Sequence, residues 1–244
     1  MSKLIFDIET IGEDFAALDE ATQENLTHWI KREHPDEAGY NAALEDLKNG
    51  LGFSPLTGQI VAIGILDYEK DKGVVYFQSP GTDAAELEDN LVLSEAEGRF
   101  KFKPMTEVEM IQAFWNGAKE YREFVSFNGR GFDVPFLNIR SAVHKIRPSI
   151  DLMSNRYLGS QKFGAMHVDL MDQLTYYGAV RKHPSLHLTC RAFGITSPKA
   201  MGVTGDDVQR LFAEKKFTDI ARYNTGDLTA TKAVYEYWEK YLKF

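Results

Sequence analysis

Residues 4–12, Leu-Ile-Phe-Asp-Ile-Glu-Thr-Ile-Gly (LIFDIETIG), set two carboxylates, Asp7 and Glu9, inside an apolar run. In an extended strand successive side chains alternate between faces, so Asp7 and Glu9 point one way while Leu4, Phe6 and Ile8 point the other. Two like charges held side by side repel, and a fold accommodates such a pair when a cation sits between them. The stretch therefore predicts a buried β-strand with one acidic, cation-seeking face.

Outward from this strand, QIVAIGILDY (59–68) and GVVYFQS (73–79) read as a second and third strand joined by the charged turn EKDKG, which makes a meander. Between the first two strands, residues 14–50 carry two amphipathic pieces, FAALDEATQENLTHWIKREH and YNAALEDLKNGL, expected as a surface helical hairpin inserted into the domain. Residues 80–103 are charged and read as irregular surface. Thr106 and Glu109 have capping-box spacing and open a helix through MIQAFWNGAKEY. A short strand (EFVSFNG), a helix (VPFLNIRSAVHKI), a strand-or-helix piece (HVDLMDQLTYYG), helices at LHLTCRAFGI and DDVQRLFAEKK, and a closing helix over about 217–242 follow. Early strands with later helices predict an α/β fold with a mixed sheet, as a single domain over 1–244.

The whole chain bounds the function. Its 244 residues are 43% hydrophobic, enough for a real core, and Cys190 is its single cysteine, so no internal disulfide forms. With no apolar run near ~18 residues and no signal pattern at the N-terminus, a cytoplasmic protein without a membrane partner is expected. The net charge of −8 argues against a general duplex-DNA binder but not against a nuclease whose acidic site is neutralised by metal.

D-x-E alone is a weak signal, because Asp67-Tyr68-Glu69 repeats it at the turn before KDKG, where solvated turn charges explain it. A second element, SFNGRGFDVPFL (126–137), puts Asp133 between a short strand and a helix with Pro135 near its start; the ordinary explanation is a helix N-cap beside an Asn128-Gly129 turn. Its G-x-G lacks the third glycine of a dinucleotide fingerprint. A third, ARYNTGDLTATKAVYEYW (221–238), puts Tyr223 and Asp227 four apart on one helix face, with Gly226 leaving room beside Asp227. His183 and His187 have H-x-x-x-H spacing, but Pro184 and the absence of a following glutamate read as a loop-to-helix start rather than zinc.

In order, strand D-x-E, N-x-x-x-F-D and Y-x-x-x-D on the last helix resemble the DEDD exonuclease superfamily, tyrosine subtype (DEDDy), and within it the 3′–5′ exonucleases related to the proofreading domain of family B DNA polymerases. IVAIGIL, HVDLMDQLTYYG, SLHLTCRAFGI and PKAMGVTGDDV resemble later family segments, whereas 14–50 does not align. The histidine of the alternative third motif is replaced by Arg222. The resemblance implies a ribonuclease H-like fold with a mixed five-stranded sheet and flanking helices. It implies that Asp7, Glu9, Asp133 and Asp227 hold two divalent cations, Mg²⁺ or Mn²⁺, and that Tyr223 orients the attacking water. It puts Asn128, Phe132 and the backbone at Thr10 near the terminal nucleotide, with Lys199 as a candidate phosphate contact. The expected activity is metal-dependent hydrolysis from the 3′ end of single-stranded nucleic acid, DNA favoured. A catalytically silent binding module on the same fold is the alternative, set against the presence of all four acids and Tyr223. Arg130, Arg140, Lys145 and Arg147 are the candidates for a basic track, and the acidic balance predicts weak, distributive binding.

Overall fold

The computed structural model describes residues 2–82, 98–161, 164–197 and 207–243. The acidic stretch forms strand β1 (Lys3–Gly12), followed by a 3-10 turn, Phe15–Ala17, helices α1 (Glu20–Glu33) and α2 (Glu37–Gly50) and a second 3-10 turn, Leu51–Phe53. Then come β2 (Gly58–Asp67), β3 (Lys72–Phe77), β4 (Phe100–Pro104), α3 (Glu107–Ala118), β5 (Glu123–Ser126) and α4 (Asp133–Val143). The chain continues through β6 (Met166–Asp169), α5 (Leu170–Leu174), α6 (Leu186–Phe193), α7 (Val208–Ala213) and α8 (Phe217–Tyr241). Asp19 and Asp36 cap α1 and α2 by accepting from Thr22 and Gly39 amides.

The strands join in one sheet ordered β4-β3-β2-β1-β5-β6, with β1 and β5 parallel, β5 and β6 parallel, and β2 antiparallel to both β1 and β3. This is the mixed α/β, ribonuclease H-like arrangement, with six strands where five were expected. The sixth, β4, lies in the stretch read as irregular. Phe100 and Phe102 are buried while Lys101 and Lys103 are exposed, so a two-residue period is present but split by charge, as suits a sheet edge.

The alternation read from LIFDIETIG sorts the core. Leu4, Phe6 and Ile8 pack with Phe114, Trp115, Phe124, Phe136 and Leu137 under α3 and α4. Ile5 and Ile11 pack with Ala62, Leu66, Val75, Phe77, Leu228 and Val234 under α8. In α8 the buried residues Phe217, Ile220, Ala221, Asn224, Leu228, Thr231, Tyr235 and Trp238 recur three and four apart and lay one stripe on the sheet. Tyr235 anchors the far end of that helix by donating to Glu123 at 2.6 Å.

Two features position the site. β1 pairs with β5 only over Lys3 to Ile5, so its later residues have no strand on that side. The β1–β2 register also shifts after Glu9, which pairs with Ala62 while Thr10 pairs with Ile60. The amide of Ile60, beside the bulge, donates to the buried Glu107 carboxylate at 2.8 Å, which also receives Arg140 at 2.7 and 2.8 Å. Arg140 therefore serves the scaffold and leaves the expected basic track. Arg130 is similarly committed, donating to the carbonyls of Leu152 and Met153. Among the described residues, no helix is long and apolar enough to cross a membrane.

Candidate active site

Asp7 and Glu9 stand on the face of β1 that α8 covers, and α8 brings Asp227 against them. One oxygen from each of the three carboxylates lies within 4.8 Å of the others, the one such group of potential ligands among the described residues. Glu9 is buried, and Asp7 and Asp227 are half-buried. The decoy pair at 67–69 sits at the other end of the strand pairing, opposite Leu4. There Asp67 is buried rather than solvated, and it accepts from Lys70 and Tyr121 at 2.9 Å.

Asp133 approaches from the other direction. The amide of Ile8, without a β5 partner, donates to Asp133 Oδ1 at 3.0 Å. Asp133 is the first residue of α4, whose N-cap is Phe132 without a side-chain bond, so its carboxylate faces β1 instead of capping its own helix. The fourth acid thus reaches the others through the main chain between Asp7 and Glu9.

The electrostatics are those of crowded acids. Burial raises the pKa of Asp7 well above the usual carboxylate range, and Asp133, Asp227 and Glu9 push it further. Burial and Asp227 raise Glu9 likewise. Burial brings Asp133 to about 7. Tyr223, buried and hydrogen-bonded to Asp227, is raised too, first by burial and then by the surrounding acids, so it stays a protonated donor. Hard oxygen ligands with like-charge strain are the donor set that suits Mg²⁺ or Mn²⁺.

Asn224 is a residue that the sequence did not reveal. It is fully buried, and its side-chain amide donates to Asp7 Oδ2 at 2.8 Å and Glu9 Oε1 at 3.3 Å. The nitrogen end of the amide thus faces the carboxyl pair. Its oxygen, buried and without a hydrogen-bond partner, presses on Gly64, the residue opposite Asp7 on β2. A Cβ on Gly64 would lie 1.8 Å from that oxygen, so glycine there is what lets α8 seat its amide between the acids. The signal was present only as an asparagine in a largely apolar helix stripe.

Of the expected substrate residues, Thr10 follows Glu9 and Phe132 precedes Asp133 in the chain, while Asn128 lines a cavity with Arg130, Met153 and Asp169. Asn128 adopts a left-handed conformation (φ 65°), held by Asp169, which accepts the amides of Asn128 and Arg130 at 2.9 and 2.8 Å. Asp169, in HVDLMDQ, was likewise not singled out. Phe132 is half-buried, its ring 5.5 Å from Phe136. The Thr10 hydroxyl donates to the Gly52 carbonyl at 2.8 Å and so ties the inserted segment to β1. Lys199 and most of PKAMGVTGDDV lie outside the described residues. His187 bonds Ser197 at 2.6 Å, and among the described residues no group of potential metal ligands includes it or His183.

A family model described as a predicted 3′–5′ exonuclease related to the exonuclease domain of PolB matches residues 59–241. That match includes Asp133, Tyr223 and Asp227 and begins after Asp7 and Glu9. Among solved structures, the family B DNA polymerase from the hyperthermophilic archaeon Pyrobaculum calidifontis is similar at 18% identity and a TM-score of 0.55. The similarity covers 98% of this chain and 24% of that one. The chain thus spans about a quarter of that polymerase, and the likeness is one of fold. No curated protein sequence matches the chain.

Proposed function

The chain belongs to the family of predicted 3′–5′ exonucleases related to the exonuclease domain of PolB, and on that premise we propose that it hydrolyses the terminal phosphodiester of single-stranded nucleic acid, DNA favoured, from the 3′ end. The observation that carries this is the convergence of Asp7, Glu9 and Asp227 within 4.8 Å, with Asp133 bonded to the strand between the first two. Carboxylates with raised affinity for protons are poised to exchange them for cations.

In this proposal Asp7, Glu9, Asp133 and Asp227 hold two divalent cations. When bound, these supply an activated water and neutralise the departing 3′ oxygen. Tyr223 keeps its proton and orients the water by donating or accepting at its hydroxyl. Asn224 fixes the Asp7 and Glu9 side chains so that little reorganisation is needed as charge develops. Attack at phosphorus breaks the P–O3′ bond, releases a nucleoside 5′-monophosphate and leaves a new 3′-hydroxyl on the shortened strand. With Arg130 and Arg140 committed internally, binding is expected to be weak and distributive.

The test is degradation of 5′- and 3′-labelled single-stranded DNA and RNA with Mg²⁺, Mn²⁺ or chelator, beside Asp7→Ala. Stepwise shortening from the 3′ end, lost in chelator and in the variant, is expected. Internal cleavage, shortening from the 5′ end, or activity undiminished in Asp7→Ala would refute the proposal.

A further inference from the structure

Phe53 lies just past the inserted segment, as the last residue of the 3-10 turn Leu51–Phe53, and it is 63% exposed. The turn that carries it is nonetheless fixed. Gly12 and Gly52 bring two backbones together so closely that a Cβ on Gly52 would lie 2.9 Å from the Gly12 nitrogen. Thr10 donates to the Gly52 carbonyl at 2.8 Å, and Thr57 donates to that of Leu51 at 2.9 Å. A ring this exposed buries little apolar surface for the fold itself.

Its surroundings say what it faces. The Phe53 ring lies 6.5 Å from the ring of Phe132, which immediately precedes Asp133. Phe53 also lines a cavity of about 390 Å³ with Thr10, Asp46, Asn49, Gly52 and Gln209, among others. That cavity starts one residue beyond Glu9. Its described lining holds no lysine or arginine, and Asp46 would repel a phosphate, so it does not suit the charged backbone of a strand. A flat aromatic with hydrogen-bonding edges suits it. Gln209 is committed to the Gly12 amide at 2.8 Å, while Asn49 and Asp46 offer edge contacts.

We infer that the turn Leu51–Phe53, which closes the segment inserted after β1, supplies the wall of the substrate cleft, with Phe53 as a stacking platform for an unpaired nucleobase at the 3′ end of the strand. This rests on the exonuclease proposal above and adds to it a base-recognition element from the part of the chain that no motif explains. A base unpaired from its complement presents its π-face to such a ring, whereas a duplex end would have to open first.

The experiment compares two single strands, identical except that one ends in a 3′ abasic (tetrahydrofuran) residue, as substrates for wild type, Phe53→Ala and Phe53→Trp. Wild type is expected to cleave the abasic end with kcat/KM lower by about 5- to 150-fold, the range typical of one base–aromatic stack. Phe53→Ala should lose a similar factor on the normal end and barely distinguish the two strands, while Phe53→Trp keeps the discrimination. Wild-type rates in Phe53→Ala, or full discrimination by it, would overturn the inference while the exonuclease proposal stands. A wild type inert on every nucleic acid with either metal would refute the proposal and this inference together.

Discussion

Gly64→Ala tests whether α8 holds its amide where the structure has it. The added Cβ would meet Asn224 Oδ1 at 1.8 Å and Leu228 Cδ1 at 2.7 Å, where contacts become ordinary only at 3.4 Å. Asn224 is fully buried and bonded to Asp7 and Glu9, so retreat breaks bonds of 2.8 and 3.3 Å to carboxyl groups. Overpacking costs about 1–3 kcal/mol, and a hydrogen bond between uncharged groups contributes about 0.5–1.5 kcal/mol. Partial relaxation leaves a net loss of roughly 2–4 kcal/mol, which lowers Tm by roughly 4–16 °C for a chain of this size. Thermal unfolding followed by circular dichroism in chelator reads it, with Gly117→Ala as control. Nothing lies within 4 Å of a Cβ on Gly117, in α3, so that change should raise stability by about 0.5–1 kcal/mol. Gly64→Ala combined with Asn224→Ala should cost less than the two separately, because the second change removes what the first collides with. A Gly64→Ala protein that melts within about a degree of wild type would refute the packing of α8 on β2 described here.

Three further outcomes are expected. Tyr223→Phe should lower kcat on the order of 100-fold, read by single-turnover cleavage, while leaving Mn²⁺ affinity unchanged; an equal loss of metal binding would make Tyr223 structural instead. Glu107→Ala strands the buried Arg140 and frees the Ile60 amide at the bulge, so urea unfolding should show a loss of about 3–5 kcal/mol, and a loss below about 1 kcal/mol would contradict the network. The folded-state pKa values of Asp7, Glu9 and Asp133 are raised, so the metal-free protein retains protons that the unfolded chain releases. The stabilisation they bring is full below the ordinary carboxylate values and is lost as pH rises through about 7 for Asp133. The gap in Tm between divalent-loaded and chelated protein should therefore widen from pH 5 to pH 8, and a constant or shrinking gap would contradict the crowding of the acids.

What could be read in advance follows what periodicity and spacing encode. Alternation in LIFDIETIG sorted Leu4, Phe6 and Ile8 from Asp7 and Glu9, and both cores follow it. Four-residue spacing put Tyr223 and Asp227 together on α8, where they are hydrogen-bonded. Contacts between segments distant in sequence were not legible. Asn224 gains meaning only because Gly64 lies opposite Asp7, a pairing set by strand register. Asp133 looked like an N-cap because its acceptor role is local in most chains. Here the donor is Ile8, exposed by the brevity of β5. Phe53 lay just past an unaligned segment, and its neighbour Phe132 is 79 residues away. The edge strand β4 escaped because Lys101 and Lys103 masked the period of Phe100 and Phe102.

The most direct test of the acidic centre is titration with Mn²⁺ followed by electron paramagnetic resonance of the free ion, without nucleic acid. Wild type should take up two equivalents, Asp7→Asn should take up neither, and Gly64→Ala should bind about 10- to 100-fold more weakly because Asn224 no longer fixes Asp7 and Glu9. No uptake at millimolar Mn²⁺ by folded wild type, or equal uptake by Asp7→Asn, would contradict a divalent-metal centre at Asp7, Glu9, Asp133 and Asp227.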